Sequence, residues 1–286
     1  MPGSLAEVAP SFQRFSWFFQ SSRGTVLAMS RRDAYEPGVP CWVTAMTPDV
    51  HAAAAYYGGV FGWAFQDEGG FLTAKLRGRD VAAIAPLAPG VDPPPQPDWL
   101  TQVSVETAEG AAERIERAGG TVIAGPIDFD IGRLVVGADP GGAVFNAWEP
   151  RIRKGAQLVN EPGAWSMSRL DTADPGGAAA FYGEVFGWTT EAFGPATMFR
   201  LPGYVGGEPE QPVSREVVAV MTPAEQGARW VVDFWVDDID AAVARSEDGG
   251  GTTVAAPFAA PVGRQAVLAD PAGVTFSISQ VQVPAG

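Results

Sequence analysis

Few side chains in this sequence could carry chemistry. The 286 residues include one histidine, His51, and one cysteine, Cys41. A single cysteine allows neither an internal disulfide framework nor a multi-cysteine metal site. Alternation along its strand puts Cys41 on the side opposite Trp42, so it is not expected to act as a nucleophile. His51 stands at the start of a helix and reads as a solvated surface residue. The sharper candidate is Asp233, placed mid-strand between Val231 and Trp235. A carboxylate there is costly unless paired. Arg169 is its expected partner, and the two are the candidate catalytic residues. Such a pair could orient a polar ligand, or supply an acid and a base if burial raises the aspartate pKa. A structural salt bridge, or a wet position on the rim, is the plainer alternative.

Other charged groups read as caps and turns. Glu106, Glu109, Asp237 and Asp238 fall at helix starts, where the helix dipole favours negative charge. Asp128 and Asp130 precede the Gly132-Arg133 step and are expected to shape a turn. Gly119-Gly120 and Gly249-Gly250-Gly251 follow helices rather than precede them, and no phosphate-loop lysine accompanies them.

A repeated framework positions these groups. Ala54-Ala55-Tyr56-Tyr57-Gly58-Gly59-Val60-Phe61-Gly62-Trp63 returns as Ala179-Ala180-Phe181-Tyr182-Gly183-Glu184-Val185-Phe186-Gly187-Trp188. Each copy predicts an alanine-rich helix with an aromatic pair, ended at glycine and turned into a strand. Gly132-Arg133 through Asp139-Pro140-Gly141-Gly142 to Phe145 likewise returns as Gly263-Arg264 through Asp270-Pro271-Ala272-Gly273 to Phe276. The chain therefore reads as two copies of a domain of about 115–120 residues. Strand, helix, then strands occurs twice per copy, giving four βαβββ-like units. The expected boundaries are an N-terminal extension at 1–37, flexible and with 1–28 upstream of Met29; a first domain at 38–150; a linker at 151–162; and a second domain at 163–282. Asp49 and Asp174 are expected helix caps, with Pro175 at a first helical position. Pro86 to Pro97 reads as a half-domain linker and pocket rim.

Composition narrows the function. The net charge of −14 disfavours nucleic acid and anionic membrane surfaces, which need clustered Lys and Arg. No apolar stretch approaches the ~20 residues of a membrane helix. A cytoplasmic protein with a small-molecule ligand is expected.

Paired βαβββ units, the Tyr-Gly-x-Val-Phe-Gly-Trp helix end, Asp-Pro-x-Gly before a last strand, Pro40-Cys41-Trp42 and Ala147-Trp148-Glu149-Pro150 together resemble the vicinal oxygen chelate superfamily. That superfamily includes glyoxalases, bleomycin- and fosfomycin-resistance proteins and extradiol dioxygenases. The closer likeness is to the tandem glyoxalase-like proteins of actinobacteria often labelled hydroxylases. The resemblance implies an α+β fold of two tandem glyoxalase-like domains, each with paired βαβββ units forming a curved, cup-shaped mixed sheet. It also implies one divalent metal, held by His, Gln or Glu on inward strand positions. In this chain those positions carry Trp42, Leu100 and Asn146 in the first copy, and Met167, Val231 and Ser277 in the second. None is a competent ligand for a hard or borderline divalent ion. No metal and no cofactor is expected.

By alternation the first cup presents Trp42, Thr44, Gln102, Asn146 and Trp148, and the second Met167, Trp235 and Ser277 beside Arg169 and Asp233. These are the candidate ligand-binding residues, unless the faces are simply filled cores. The expected function is metal-independent binding of a hydrophobic or aromatic small molecule, in bacterial specialised metabolism or self-resistance. The alternative is a metal-free isomerase, cyclase, lyase or hydroxylase using the Arg169/Asp233 pair. The chain is expected to be a monomer with internally paired domains, or a homodimer.

Overall fold

The computed structural model describes residues 31–87, 97–204, 216–260 and 263–281. The first copy runs β1 (Pro40–Thr47), α1 (Val50–Phe61), β2 (Ala64–Asp67), β3 (Leu72–Leu76), β4 (Arg79–Pro86), β5 (Asp98–Ser104), α2 (Ala108–Arg117), β6 (Thr121–Phe129), β7 (Gly132–Ala138) and β8 (Val144–Pro150). The second repeats this as β9 (Trp165–Thr172), α3 (Pro175–Phe186), β10 (Thr189–Phe193), β11 (Ala196–Arg200), β12 (Val217–Pro223), β13 (Ala228–Trp235), α4 (Ile239–Asp248), β14 (Thr252–Ala260), β15 (Gly263–Ala269) and β16 (Thr275–Val281). Each copy forms one eight-stranded sheet, ordered β2-β3-β4-β1-β5-β8-β7-β6 and β10-β11-β12-β9-β13-β16-β15-β14. Two βαβββ units thus join through the antiparallel pairs β1/β5 and β9/β13, while β1/β4, β5/β8, β12/β9 and β13/β16 are parallel.

Local chemistry sets the helix ends. The Asp49 side chain accepts from His51 N and Ala52 N, and that of Asp174 from Gly177 N. Gly62 and Gly187 stop α1 and α3 in the left-handed region, at φ 73° and 77°. α1 therefore runs one turn past the Tyr56-Tyr57 pair, to Phe61. Its buried residues, Ala53, Tyr56, Tyr57, Val60 and Phe61, fall on one stripe, as do Ala178, Phe181, Tyr182, Val185 and Phe186 of α3.

Those stripes do not close a core within their own copy. One core joins β1, α1, β3 and β4 of the first unit to Val232, Phe234, Ile239, Leu268, Phe276 and Ile278 of the last. The other joins Val103, Ile115, Val135 and Phe145 of the second unit to Phe181, Tyr182, Phe199 and Trp230 of the third. The copies are thereby interlocked back to back, and the opposite face of each sheet is left for a site. Ahead of β1, Arg31 bridges Leu158, Arg32 N donates to Gln157 O, and Tyr35 Oη donates to Ala156 O at 2.7 Å. One expectation about a turn is corrected. Asp128 lies within β6 and pairs with Arg133 and Arg151, so the turn is shifted beyond Phe129. Residues 1–30 and 88–96, the latter within the expected pocket rim, are outside the described residues.

Candidate functional site

On the second sheet, register places the candidate groups on adjacent strands. Asp233 of β13 lies opposite Met167 of β9 and Ser277 of β16, Val231 lies opposite Arg169, and Trp235 opposite Ser279. Phe234, Phe276 and Ile278 alternate with them into the shared core, so Met167, Arg169, Val231, Asp233, Trp235, Ser277 and Ser279 share the open face. Asp233 is 7% exposed. Its Oδ2 accepts from Ser166 Oγ at 2.8 Å, and its Oδ1 from Ser279 Oγ at 2.8 Å and Gln265 Nε2 at 3.2 Å. Burial pushes this carboxyl above the ordinary carboxylate range, opposed by hydrogen bonds from Ser277, Ser166, Ser279 and Gln265. Ser277 is itself buried, and its hydroxyl also reaches the Val232 carbonyl at 3.3 Å.

The expected Arg169/Asp233 pair does not form. Arg169 Nε and Nη2 donate to the two carboxylate oxygens of Asp171, at 2.7 and 3.1 Å. Thr222 Oγ1 donates to the same carboxylate. Burial pushes Asp171 up, but the hydrogen bonds and charge of Arg169, with Thr222, hold it below its ordinary value. The guanidinium takes the carboxylate two residues along its own strand because the fork meets it edge-on, and bidentate geometry is the stronger form of this pair. Asp233 is left to neutral donors. Ser166 was missed because strict alternation assigns it to the core side; an irregularity in the β9/β13 register between Asp233 and Phe234 brings it to the carboxylate. Gln265 lies opposite Ser279 on the neighbouring strand, a pairing that only the sheet order reveals.

The first sheet arranges its candidates differently. Gln102 Nε2 donates to Thr44 Oγ1 at 3.0 Å. Asn146 lies opposite Gln102 and is 3% exposed, and its Oδ1 meets no donor. Trp42 and Trp148 are buried beneath a residue of the expected linker. The Arg153 guanidinium sits 5.1 Å from the Trp42 ring centre and 5.4 Å from that of Phe71. Trp148 Nε1 donates to the Arg153 carbonyl at 3.0 Å. The Trp42 slot is therefore filled by the chain itself, which no feature of the polar stretch after Pro150 announced.

Neither face suits a divalent cation. Trp42, Leu100 and Val231 present no donor, Met167 is soft, and Asn146 and Ser277 are weak ligands alone. Among the described residues no group of three His, Cys, Asp or Glu is gathered, and His51 is exposed at the start of α1. Cys41 is fully buried, and burial pushes its thiol up, away from the nucleophilic form. Beside Ser166 and Met167 lies a cavity of about 50 Å³ lined also by Val39, Pro40, Tyr204 and Val217. That is room for water, not for a ring system, which needs roughly 300 Å³ or more. A groove of about 370 Å³ between the end of α1 and the start of α4 is larger, but it lies off both open faces. The open face of the second sheet is flanked by apolar side chains left in solvent: Phe193 at one edge strand, Val254 and Phe258 at the other. No helix among the described residues is long and apolar enough to cross a membrane.

Comparison identifies the family to which these paired βαβββ sheets belong. The Glyoxalase/Bleomycin resistance protein/Dioxygenase superfamily matches residues 41–147, and a Glyoxalase-like domain matches residues 167–279. The chain belongs to this superfamily. It is 36% identical over 260 residues to CFP32 of Mycobacterium tuberculosis (strain CDC 1551 / Oshkosh), covering 87% of this chain and 97% of that one. It is 33% identical over 265 residues to the anthracycline biosynthesis protein DnrV of Streptomyces peucetius, covering 87% and 95%. The Mn(II)-bound glyoxalase from Novosphingobium aromaticivorans shares the fold, with a TM-score of 0.60 at 15% identity over 85% of this chain and 82% of that one.

Proposed function

We propose that the chain is a metal-independent, cytoplasmic binder of a hydrophobic or aromatic small molecule in bacterial specialised metabolism or self-resistance, and that the second sheet's open face is its site. One observation carries the reading: the positions where this scaffold would place metal ligands hold Met167, Val231 and Ser277 around a carboxyl fully occupied by neutral donors. Support comes from Trp235 on the same face, from the exposed Phe193, Val254 and Phe258 at its edges, and from the likeness to an anthracycline biosynthesis protein. Fixed hydrogen-bonding groups at the centre of the face, with apolar side chains at its two edges, suit a planar ligand with polar substituents.

A second reading is an enzyme, favoured by Asp233 alone. A buried carboxyl pushed toward its neutral form can hand a proton to a ligand oxygen. Arg169, tied to Asp171, would then orient the ligand rather than share that proton.

Titration with 1,8-dihydroxyanthraquinone, followed by its visible absorbance, tests the first reading. Saturable binding that is weakened about tenfold by Trp235→Ala is expected. Absence of saturable binding, or stoichiometric Fe, Mn, Ni or Zn in protein purified without chelator, sinks it. Asp233→Asn separates the two readings: binding retained with turnover lost supports the enzyme.

A further inference from the structure

We propose that the Trp42/Phe71 slot of the first sheet is a binding site for a planar organic cation, and that the chain's own Arg153 is its resident occupant. The inference does not depend on the ligand reading above. Arg153 belongs to the stretch joining the two copies, where a solvated arginine is the ordinary expectation in a chain of net charge −14. Instead its side chain is 12% exposed. The guanidinium lies within 5.1 and 5.4 Å of two ring centres, inside the range of cation–π attraction. Nη2 donates to Glu68 Oε2 at 2.6 Å and to Thr73 Oγ1 at 3.0 Å. Thr73 is fully buried and pairs with Ala83, which pairs in turn with Thr44, so these contacts lie on the sheet's open face.

The backbone is pinned as firmly as the side chain. Arg151, Ile152 and Arg153 N–H groups all donate to the Ile131 carbonyl, at 3.2, 3.0 and 3.1 Å, and the Arg153 carbonyl accepts from Trp148. Two π faces, one carboxylate and one hydroxyl make a slot that recognises a flat, delocalised cation, a guanidinium or amidinium, over a compact hydrated ammonium. Arg151, two residues earlier, pairs with Asp128 at the surface, so the slot selects position 153 and not arginine in general. Because the occupant is tethered, a free planar cation must compete with a high local concentration and is excluded from the wild-type chain.

The test is replacement of the tethered group by a free one. Arg153→Ala is expected to lower Tm by about 4 °C or more. Millimolar methylguanidinium should restore at least half of that loss, while leaving the wild type and the double variant Arg153→Ala/Trp42→Ala unshifted. Ethylammonium at the same concentration should restore little. An Arg153→Ala chain as stable as the wild type, or an equal response of wild type and variant to methylguanidinium, overturns the proposal. If Arg153→Ala is insoluble, its refolding yield with and without methylguanidinium decides, and a yield that does not rise also overturns it.

Discussion

At the scale of single residues, two kinds of aspartate do opposite work. Asp139 Oδ1 accepts from Gly141 N and Ala143 N in its own turn, while its Oδ2 accepts from Tyr182 Oη of the other copy at 3.0 Å. Trp230 Nε1 donates to the same tyrosine oxygen at 2.9 Å. The mirror set is Asp270, Tyr57 and Trp99, at 3.1 and 3.0 Å. The Asp-Pro turns and the helix tyrosines that reveal the repeat are therefore the clasps between copies. Tyr57→Phe and Tyr182→Phe should each cost about 1–3 kcal/mol, since each leaves a buried carboxylate oxygen and an indole N–H without partner; urea unfolding of the two variants would show it, and a loss in only one copy would break the symmetry claimed here. Asp233 has no such partner across the copies. A carboxyl raised in the folded state keeps its proton where the unfolded chain, near pKa 3.9, has lost it. Its stabilising contribution is present below that unfolded value and disappears as pH climbs through the raised folded one. Asp233→Asn removes this titration, so the variant should gain stability relative to wild type as pH goes from about 4 to about 8. A difference in urea midpoints that stays flat across that range would contradict the burial of a carboxyl held toward neutrality.

At the scale of elements, glycines report where one copy approaches the other. A Cβ at Gly251, just before β14, would stand 2.6 Å from Tyr56 Oη, 2.7 Å from Ser246 Oγ and 2.8 Å from the Ala269 carbonyl. Gly120, its counterpart before β6, would meet Phe181 at 2.6 Å. These glycine clusters read in sequence as helix ends, and they are that, but their small size also admits the aromatic pair of the opposite copy. Gly59, exposed on α1, would meet nothing within 4 Å. Gly251→Ala should destabilise by about 1–3 kcal/mol, as an overpacked contact does. Gly59→Ala should stabilise by about 0.4–1 kcal/mol through the unfolded chain. Thermal unfolding of the pair checks both signs at once, and destabilisation by Gly59→Ala would show that α1 is not packed as described.

At the scale of the whole molecule, each core is half one copy and half the other, so neither copy has a complete interior of its own. Phe276, fully buried on β16 of the second copy, has its ring 5.6 Å from Tyr57 and 5.9 Å from Phe61 of the first. Phe276→Ala should cost about 3–5 kcal/mol. It should lower one shared unfolding transition rather than uncouple a second-copy transition from a first. Two separated calorimetric peaks in the variant would show that the copies fold apart.

The repeat, the element order, the helix caps at Asp49 and Asp174 and the alternation that sends Asp233, Met167 and Ser277 to one face were all legible in the sequence. They depend on periods of two and 3.6 residues and on backbone groups a few positions away. The partner of Arg169, the arrival of Ser166 and Gln265 at Asp233, the filling of the Trp42 slot by Arg153 and the crossing of the cores were not. Each is a competition between groups far apart in the chain or on different strands. Side-chain types name the competitors, but only the packed sheets set the distances that decide between them.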